Sequence, residues 1–379
     1  MLSSHDLLEI KEGNSLLLIP RRSIEDQYPP RQPAFFNTKA KLNRDLSILI
    51  YSAFAQDFEG PKIFLEGFSG IGARGVRVAN EIKGIEKVVA NDLNPNALEF
   101  AKRSSLLNKI TNMELSEKEV CCFFSNFSKR GSRGSIVDLD PFGSPVKYLD
   151  CALRATARNG IFSCTATDLQ VLRGIFPKAC KRKYGGIPIK TEYGNEIAIR
   201  LILGCILSVA GRLDTGIEPI FVESDMHYYR TYVRVVNKSN FDNMFGFVGH
   251  CFECGNRQVL EENQVQCNHC KQPWKVAGPM WIGQLFEKEF VQNVSKQLEE
   301  HAVDKRCESI IKKSIYESDK PALYYTLDEI AAMKKCSPPK LHNFLERLKN
   351  NGYSASPTSL NPTGFRTDAK INVIRELFV

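Results

Sequence analysis

The chain has no N-terminal apolar segment of the secretory kind and no apolar run of membrane-spanning length, so it reads as soluble and intracellular, nuclear or cytoplasmic. No internal repeat and no low-complexity stretch occurs, which excludes solenoids and repeat arrays. The G-x-G-x-x-G fingerprint of dinucleotide-binding turns is missing too. Charge of one sign does not dominate: a net charge of +8 over 379 residues is compatible with a polyanionic partner without demanding one. The length suffices for two domains with sizeable cores. Among twelve cysteines, Cys151, Cys164, Cys180, Cys205, Cys307 and Cys336 stand singly in apolar surroundings, as small core fillers do.

The most informative stretch is Ser135 to Pro145, SIVDLDPFGSP. Ile136 and Val137 read as the end of a buried strand that runs straight into acid, proline, aromatic and glycine. Asp138 and Asp140 then sit at the strand's carboxyl end, where open α/β sheets place their ligands. Pro141 has no N–H, so the carbonyls around it are available as acceptors. Phe142 adds a flat face. Acceptors beside an aromatic face suit a planar heterocycle with an exocyclic amino group, although an acidic turn with a core phenylalanine has the same residues.

A second informative stretch is Lys62 to Gly75, KIFLEGFSGIGARG. A short apolar strand ends at Glu66, and Gly67, Gly70 and Gly72 lead into a helix from Ala73, so the backbone can approach a ligand closely. Lys87 to Asp92 is another apolar strand, closing on an acid twenty residues beyond Gly72, from where a carboxylate reaches ribose hydroxyls; Leu93 follows it. Asn94-Pro95 opens the next helix. An acid at this point without a phosphate fingerprint indicates an adenosine cofactor without pyrophosphate, namely S-adenosylmethionine. An ordinary βαβ unit whose glycines serve packing is the alternative. Upstream, prolines 29, 30 and 33 make an extended strap, and apolar positions from Leu42 recur at helical spacing. Arg44 lies near that helix's start, where a cation opposes the dipole, so an anion is expected close by; Asp45 is one candidate. Cys121 to Lys129 stands where such folds often place an acid against adenine, but Asn126 is the sole candidate acceptor and the string reads as strand and loop.

Beyond the central stretch, Val146 to Thr156 reads as a helix and Gly160 to Thr165 as a strand. Phe176 to Gly186 carries Lys178, Lys181, Arg182 and Lys183 in a glycine-bounded segment, the appearance of a phosphate-contacting loop or of a solvated face. A helix over Glu192 to Ser208 and a β-hairpin over Pro219 to Val236 close the sheet. Cys251-x2-Cys254-x12-Cys267-x2-Cys270 brings four thiolates onto two tight turns, the ligand set of structural zinc. His250 and His269 are possible substitutes, and a disulfide pairing is the alternative. Gly278 to Trp281 reads as a turn. Thr326-x-x-Glu329 is a capping box, Ser337-Pro338 caps a second helix with Leu341, Phe344, Leu345 and Leu348 inward, and two short β segments follow. Two helices and a β-wing resemble a winged helix; a plain helical interaction domain has the same signals.

Taken in order, FFN with LNRD (Phe35 to Asp45), LEGFSGIGARG (Leu65 to Gly75), ANDLNPNA (Ala90 to Ala97), DLDPFGSP (Asp138 to Pro145), TATD (Thr165 to Asp168), RKYGG with Pro188, Gly278 to Gly283 and NPTGFRT (Asn361 to Thr367) resemble the tRNA (guanine-26-N2)-dimethyltransferases. These are class I S-adenosylmethionine-dependent enzymes. The resemblance implies an α/β, Rossmann-like sheet with helices on both faces and a smaller, mostly helical α+β C-terminal domain; the cysteine spacing adds a zinc knuckle, which only part of the family carries. The implied division is a strap and helix over residues 1–60, a methyltransferase domain over 61–245, the knuckle over 246–277 and a tRNA-binding domain over 278–379. It implies that Arg44, Arg74 and Asp92 contact the cofactor together with Glu66, Gly67, Gly70, Gly72 and Leu93. Asp140 becomes the catalytic carboxylate beside Pro141, and Phe35 and Phe142 sandwich the guanine. Lys178, Lys181, Arg182, Lys183 and Arg366 would meet a tRNA, bound by a monomer. The sequence departs from the family at Cys121 to Ser128, where acids often touch adenine. Two rival readings are an adenine-N6 methyltransferase, since an Asp-Pro-aromatic turn serves that chemistry equally, and a non-catalytic zinc-containing tRNA-binding protein.

Overall fold

The computed structural model describes residues 7–261 and 264–378. It divides into two compact units, the first comprising Met1–Pro141, Lys147–Cys164 and Gln292–Ser309, the second Phe142–Val146, Thr165–Val291 and Ile310–Val379.

The first unit opens with an antiparallel hairpin, β1 (Leu7–Glu12) and β2 (Ser15–Pro20), turning at Gly13. After a one-turn helix α1 (Arg22–Glu25) and the proline-rich passage comes α2 (Lys41–Asp57), whose Leu46, Leu49, Ile50 and Phe54 are buried as their spacing predicts. Alternating elements follow: β3 (Ile63–Glu66), α3 (Ala73–Glu81), β4 (Lys87–Asn91), α4 (Pro95–Leu107), β5 (Met113–Ser116), α5 (Val120–Ser125), β6 (Gly134–Leu139), α6 (Leu149–Ala155) and β7 (Thr156–Ala166). Strands β3, β4 and β6 are almost wholly buried, which is why they read as short continuous apolar runs. Pairing is parallel for β5–β4, β4–β3, β3–β6 and β6–β7. A core of Leu17, Ile19, Phe36, Ile71, Val76 and Phe100 fastens the β2 hairpin onto α3 and α4.

In the second unit the chain runs through α7 (Leu169–Leu172), α8 (Pro177–Tyr184), α9 (Gly194–Gly211), and the antiparallel pair β8 (Gly216–Ser224) and β9 (Tyr229–Val236). The mixed seven-stranded sheet has the order β5-β4-β3-β6-β7-β9-β8. Next come α10 (Phe241–Met244), then β10 (Phe245–His250), β11 (Arg257–Leu260) and β12 (Lys275–Trp281), an antiparallel sheet in the order β11-β10-β12. Two helices, α11 (Lys288–Lys296) and α12 (Arg306–Glu317), whose stretch from Gln292 to Ser309 belongs to the first unit, precede β13 (Tyr325–Thr326), α13 (Leu327–Lys334), α14 (Leu341–Asn350), β14 (Ala355–Pro357), β15 (Gly364–Thr367) and α15 (Ile371–Leu377) in the chain. Here Ile330, Phe344, Leu348, Phe365 and Ile374 form one core, and Thr326 Oγ1 caps α13 through the Glu329 amide as the capping box predicts.

Several local expectations change. In the 121–129 string, residues up to Ser125 are helix α5 rather than strand, because Glu119 caps it by accepting from the Cys121 and Cys122 amides, and residues 126–129 are the expected loop. The basic segment 177–184 is helix α8, with Pro177 in its first turn and left-handed Gly185 ending it. Residues 278–281 belong to strand β12 and not to a turn. Helix α14 starts after Lys340, so Ser337 is not its cap. Cys151 is no isolated filler: it is bonded to Cys121, with Cα atoms 5.4 Å apart, linking α6 to α5. Helix α9 has the length and mean hydropathy, 1.5, of a membrane span, contrary to the sequence reading; 78% of it is buried, as the core helix of its unit.

Candidate active site

In the first unit the carboxyl ends of β3, β4 and β6 are tied into one edge. The Gly67 amide donates to the Asp138 carbonyl at 2.9 Å and the Ser69 amide to the Asn91 carbonyl at 2.9 Å. Asp92 steers the turn itself: Oδ2 accepts from the Gly70 amide at 2.8 Å and Oδ1 from the Asn94 amide at 2.9 Å. Gly72 caps α3 in the left-handed region, φ 73°, with no room for a side chain, since a Cβ would stand 2.6 Å from Ala101 Cβ. Gly67 is equally constrained by the ring of Phe124, which a Cβ would meet at 2.7 Å. Phe123 and Phe124 thus wall this edge from inside, and Glu117 and Glu119 are exposed just past β5.

Beneath the edge lies a buried ion cluster around Arg74. Its Nη1 donates to Asp138 Oδ1 at 2.9 Å and its Nη2 to Asp140 Oδ2 at 2.9 Å, and Nη2 also reaches Asn43 Oδ1. Tyr51 Oη donates to Asp138 Oδ2 at 2.5 Å and is bonded to Ser163 Oγ at the same distance. Asp138 is fully buried, whereas the Asp140 side chain is 31% exposed. Two residues apart along one strand direction, the two carboxylates share a face, and one guanidinium serves both. Pro141 is buried, and Phe35 is half-buried. Tyr51, Asn43 and Ser163 were not singled out from sequence; no local pattern marks a partner that arrives from another element.

Two expected cofactor contacts have protein partners of their own. Glu66 is buried under the glycine turn, where Oε2 accepts from the Gly75 amide at 3.1 Å. Burial, reinforced by Asp138 and Asp140, raises its carboxyl well above the ordinary value against the pull of Arg74 and the Gly75 amide. It is therefore a buried prop for the start of α3. Arg44 has the anion its position calls for, but that anion is Glu12 of β1: Nε and Nη2 donate to its two oxygens at 2.6 and 2.7 Å, and Nη1 to the Asn37 carbonyl at 3.2 Å. Asp45 pairs instead with Lys41 and Arg77. Leu93 is 64% exposed at the same edge as Asp92.

In the second unit Phe142 is 65% exposed, and Gly143 is bonded to Thr167 in both directions, the glycine amide to Thr167 Oγ1 at 2.7 Å and the Thr167 amide to the glycine carbonyl at 2.9 Å. Lys178, Lys181, Arg182 and Lys183 lie exposed on α8, Lys183 pairing with Asp168 at 3.0 Å. Arg366 is a correction. It is 3% exposed, with Nε on Glu317 Oε2 at 2.6 Å and Nη2 on Glu196 Oε2 at 3.0 Å, so it is a joint of the fold rather than a nucleic-acid contact.

The four cysteines converge as their spacing predicts, with all Sγ atoms within 4.8 Å of one another. Cys251 and Cys270 are 3.3 Å apart and Cys254 and Cys267 3.7 Å, near the separation of about 3.8 Å that follows from zinc–sulfur bonds of about 2.3 Å in a tetrahedron. The two knuckles match: the Gly255 amide donates to the Cys251 carbonyl and the Lys271 amide to the Cys267 carbonyl, both residues left-handed. His250 is buried, and its ring packs against Phe252 and Tyr193.

The sequence profile of the N2,N2-dimethylguanosine tRNA methyltransferases matches residues 13–378. The chain belongs to this family. Among curated relatives, the tRNA (guanine(26)-N(2))-dimethyltransferase of Methanosphaera stadtmanae is 31% identical over 363 residues, covering 92% of this chain and 91% of the relative. The enzyme of the same name from Methanothermobacter thermautotrophicus is 30% identical over 98% of both chains. Trm1 from Pyrococcus horikoshii, solved as a complex with S-adenosyl-L-methionine, superposes with a TM-score of 0.85 at 28% identity, over 98% of this chain and 100% of that one. These likenesses support the guanine-N2 family and neither the adenine-N6 nor the non-catalytic alternative.

Proposed function

We propose that the protein is an S-adenosylmethionine-dependent tRNA methyltransferase that methylates the exocyclic N2 of guanine 26, giving N2-methyl- and N2,N2-dimethylguanosine. The observation that carries this is the family match along 13–378 coinciding with a part-exposed Asp140 held at the sheet edge by Arg74. S-adenosylmethionine supplies the methyl group, and the turn of Gly67, Gly70 and Gly72 with Asp92 and Leu93 beside it is the ground on which it would rest, with Arg74 behind. Asp140 and the Pro141 carbonyl accept the guanine amino protons, and Phe35 and Phe142 offer their faces to the flipped base. An amine whose lone pair is delocalised into the ring is a poor nucleophile; acceptors on its protons return density to nitrogen and aim it at the methyl. The new N–C bond replaces the sulfonium S–C bond, and the amine's proton passes to Asp140. Monomethylguanine returns with its remaining N–H on Asp140 for the second transfer.

Exposed Lys178, Lys181 and Arg182, with Lys183, are the proposed phosphate contacts of the substrate tRNA. The helix-strand-helix-helix-strand-strand order of α12 to β15 supports a winged-helix-like tRNA-binding domain within 278–379. Cys251, Cys254, Cys267 and Cys270 would hold a structural zinc ion, closing all four positions with thiolate. The enzyme acts as a monomer in the nucleus or cytoplasm. Incubation with unmodified tRNA and methyl-labelled S-adenosylmethionine, followed by nucleoside analysis and mapping, tests the reading: label in N2-methylated guanosine at position 26 supports it, and label in N6-methyladenosine or no transfer contradicts it. Metal analysis of the purified protein should return one zinc per chain.

A further inference from the structure

The stretch Thr165–Asp168, where β7 ends, has no part in the chemistry above, yet each of its polar side chains is bonded to a different element. Thr165 Oγ1 accepts from Arg230 Nη1 of β9 at 2.6 Å, deep in the core. Asp168 accepts from Lys183 Nζ at 3.0 Å and from Tyr184 Oη at 2.6 Å, both on α8. Thr167 alone reaches the turn that follows Asp140 and Pro141 in the chain. It holds Gly143 from two sides, by its Oγ1 on the glycine amide and its own amide on the glycine carbonyl.

Gly143 adopts φ +79°, and open space surrounds the place where a Cβ would stand, so no close approach at that point fixes this peptide. Two hydrogen bonds to Thr167 orient it. Thr167 is exposed, and a single exposed hydrogen bond contributes little to net stability, about 1 kcal/mol or less. A bond that the fold scarcely needs, placed one residue after the aromatic proposed to stack on the base, acts on position instead. We infer that Thr167 is a positioning residue for methyl transfer: its hydroxyl oxygen sets the Gly143 peptide and so the presentation of Phe142 and the Pro141 carbonyl to the guanine. This rests on the reading of the turn as the guanine site. Displacing a reacting group by about 1 Å costs on the order of 100-fold in rate, so loss of one orienting bond is expected to be visible in turnover.

The test uses the full-length protein. Thr167→Val keeps the branched shape and removes the acceptor, and Thr167→Ser retains it. The valine variant is expected to lose roughly 10- to 100-fold in kcat on unmodified tRNA, with S-adenosylmethionine affinity by calorimetry and melting temperature unchanged, and the serine variant to regain most of the rate. Hydrogen exchange at the Gly143 amide should accelerate in the valine variant and not in the serine variant. A valine variant within twofold of wild-type kcat overturns the inference. So does a loss of rate that serine fails to rescue or that parallels a loss of cofactor affinity and melting temperature. A wild-type protein that transfers no methyl to tRNA guanine sinks the underlying reading instead, and the exchange measurement then still decides whether Thr167 holds Gly143.

Discussion

Each unit buries an arginine among acids, and the two clusters end differently. Arg366 is bound by Glu196 and Glu317, both fully buried, and Glu196 also takes Arg200 at 2.8 Å and the Leu323 amide at 2.8 Å. Every member of that cluster is enclosed. Arg74 is likewise enclosed and has Asp138 enclosed beside it, but its second carboxylate, Asp140, reaches solvent. From sequence both arginines look like ligand contacts. What separates a joint from a site is whether the cluster releases one charged member to the surface while the rest keep it oriented.

The largest effect expected from breaking this contrast is structural. Arg366→Met leaves two buried carboxylates without their shared partner and is expected to cost about 3 to 5 kcal/mol in denaturant unfolding; stability equal to wild type would return Arg366 to the list of candidate surface contacts. Next in size is an acid limb. Burial pushes the Glu196 carboxyl up, but Arg366, Arg200 and the Leu323 amide outweigh it and hold it at about 2, below the ordinary 4.5. A depressed carboxyl lends stability in full above its unfolded value and loses it as pH falls through the folded one. Unfolding measured between pH 4.5 and 2 should therefore lose roughly 3 kcal/mol from this group, and Glu196→Gln should flatten that limb.

A smaller effect is expected on α8. Replacing Lys178, Lys181 and Arg182 by alanine should weaken tRNA binding and lower the slope of log affinity against log salt by about 2 to 3. An unchanged slope would make α8 a solvated face. The smallest belongs to Glu66, whose carboxyl burial raises well above the ordinary value. Glu66→Gln, which can still accept from the Gly75 amide, should change neutral-pH stability by less than about 1 kcal/mol. Stability from a raised carboxyl is full below its unfolded value and fades as pH rises through the folded one, so the glutamine variant should also show a flatter alkaline side. A large neutral-pH loss would mean that Glu66 acts as a charge.

Features legible in the sequence are those fixed by neighbours in the chain. Buried parallel strands announce themselves as short apolar runs, the thiolate quartet by its spacing, and the 138–142 turn by residues that suit no other place. What stayed hidden depends on partners that arrive from far along the chain. Arg44 was expected to find an anion, but the one it finds is Glu12, on a hairpin strand more than thirty residues earlier. Glu66 sits at a strand end like Asp92, yet one faces the core and the other the turn, a difference set by Gly75 and Gly70. In α8 the run of lysines obscures the Pro177 start and Gly185 stop, so the sequence alone leaves loop and solvated face open.

The central claim is that Asp140, held by Arg74, accepts the guanine amino proton. Single-turnover methyl transfer to unmodified tRNA by Asp140→Ala, with S-adenosylmethionine binding measured on the same preparation, addresses it directly. A fall of about 100-fold or more with cofactor affinity retained is the predicted result; transfer near the wild-type rate would contradict it.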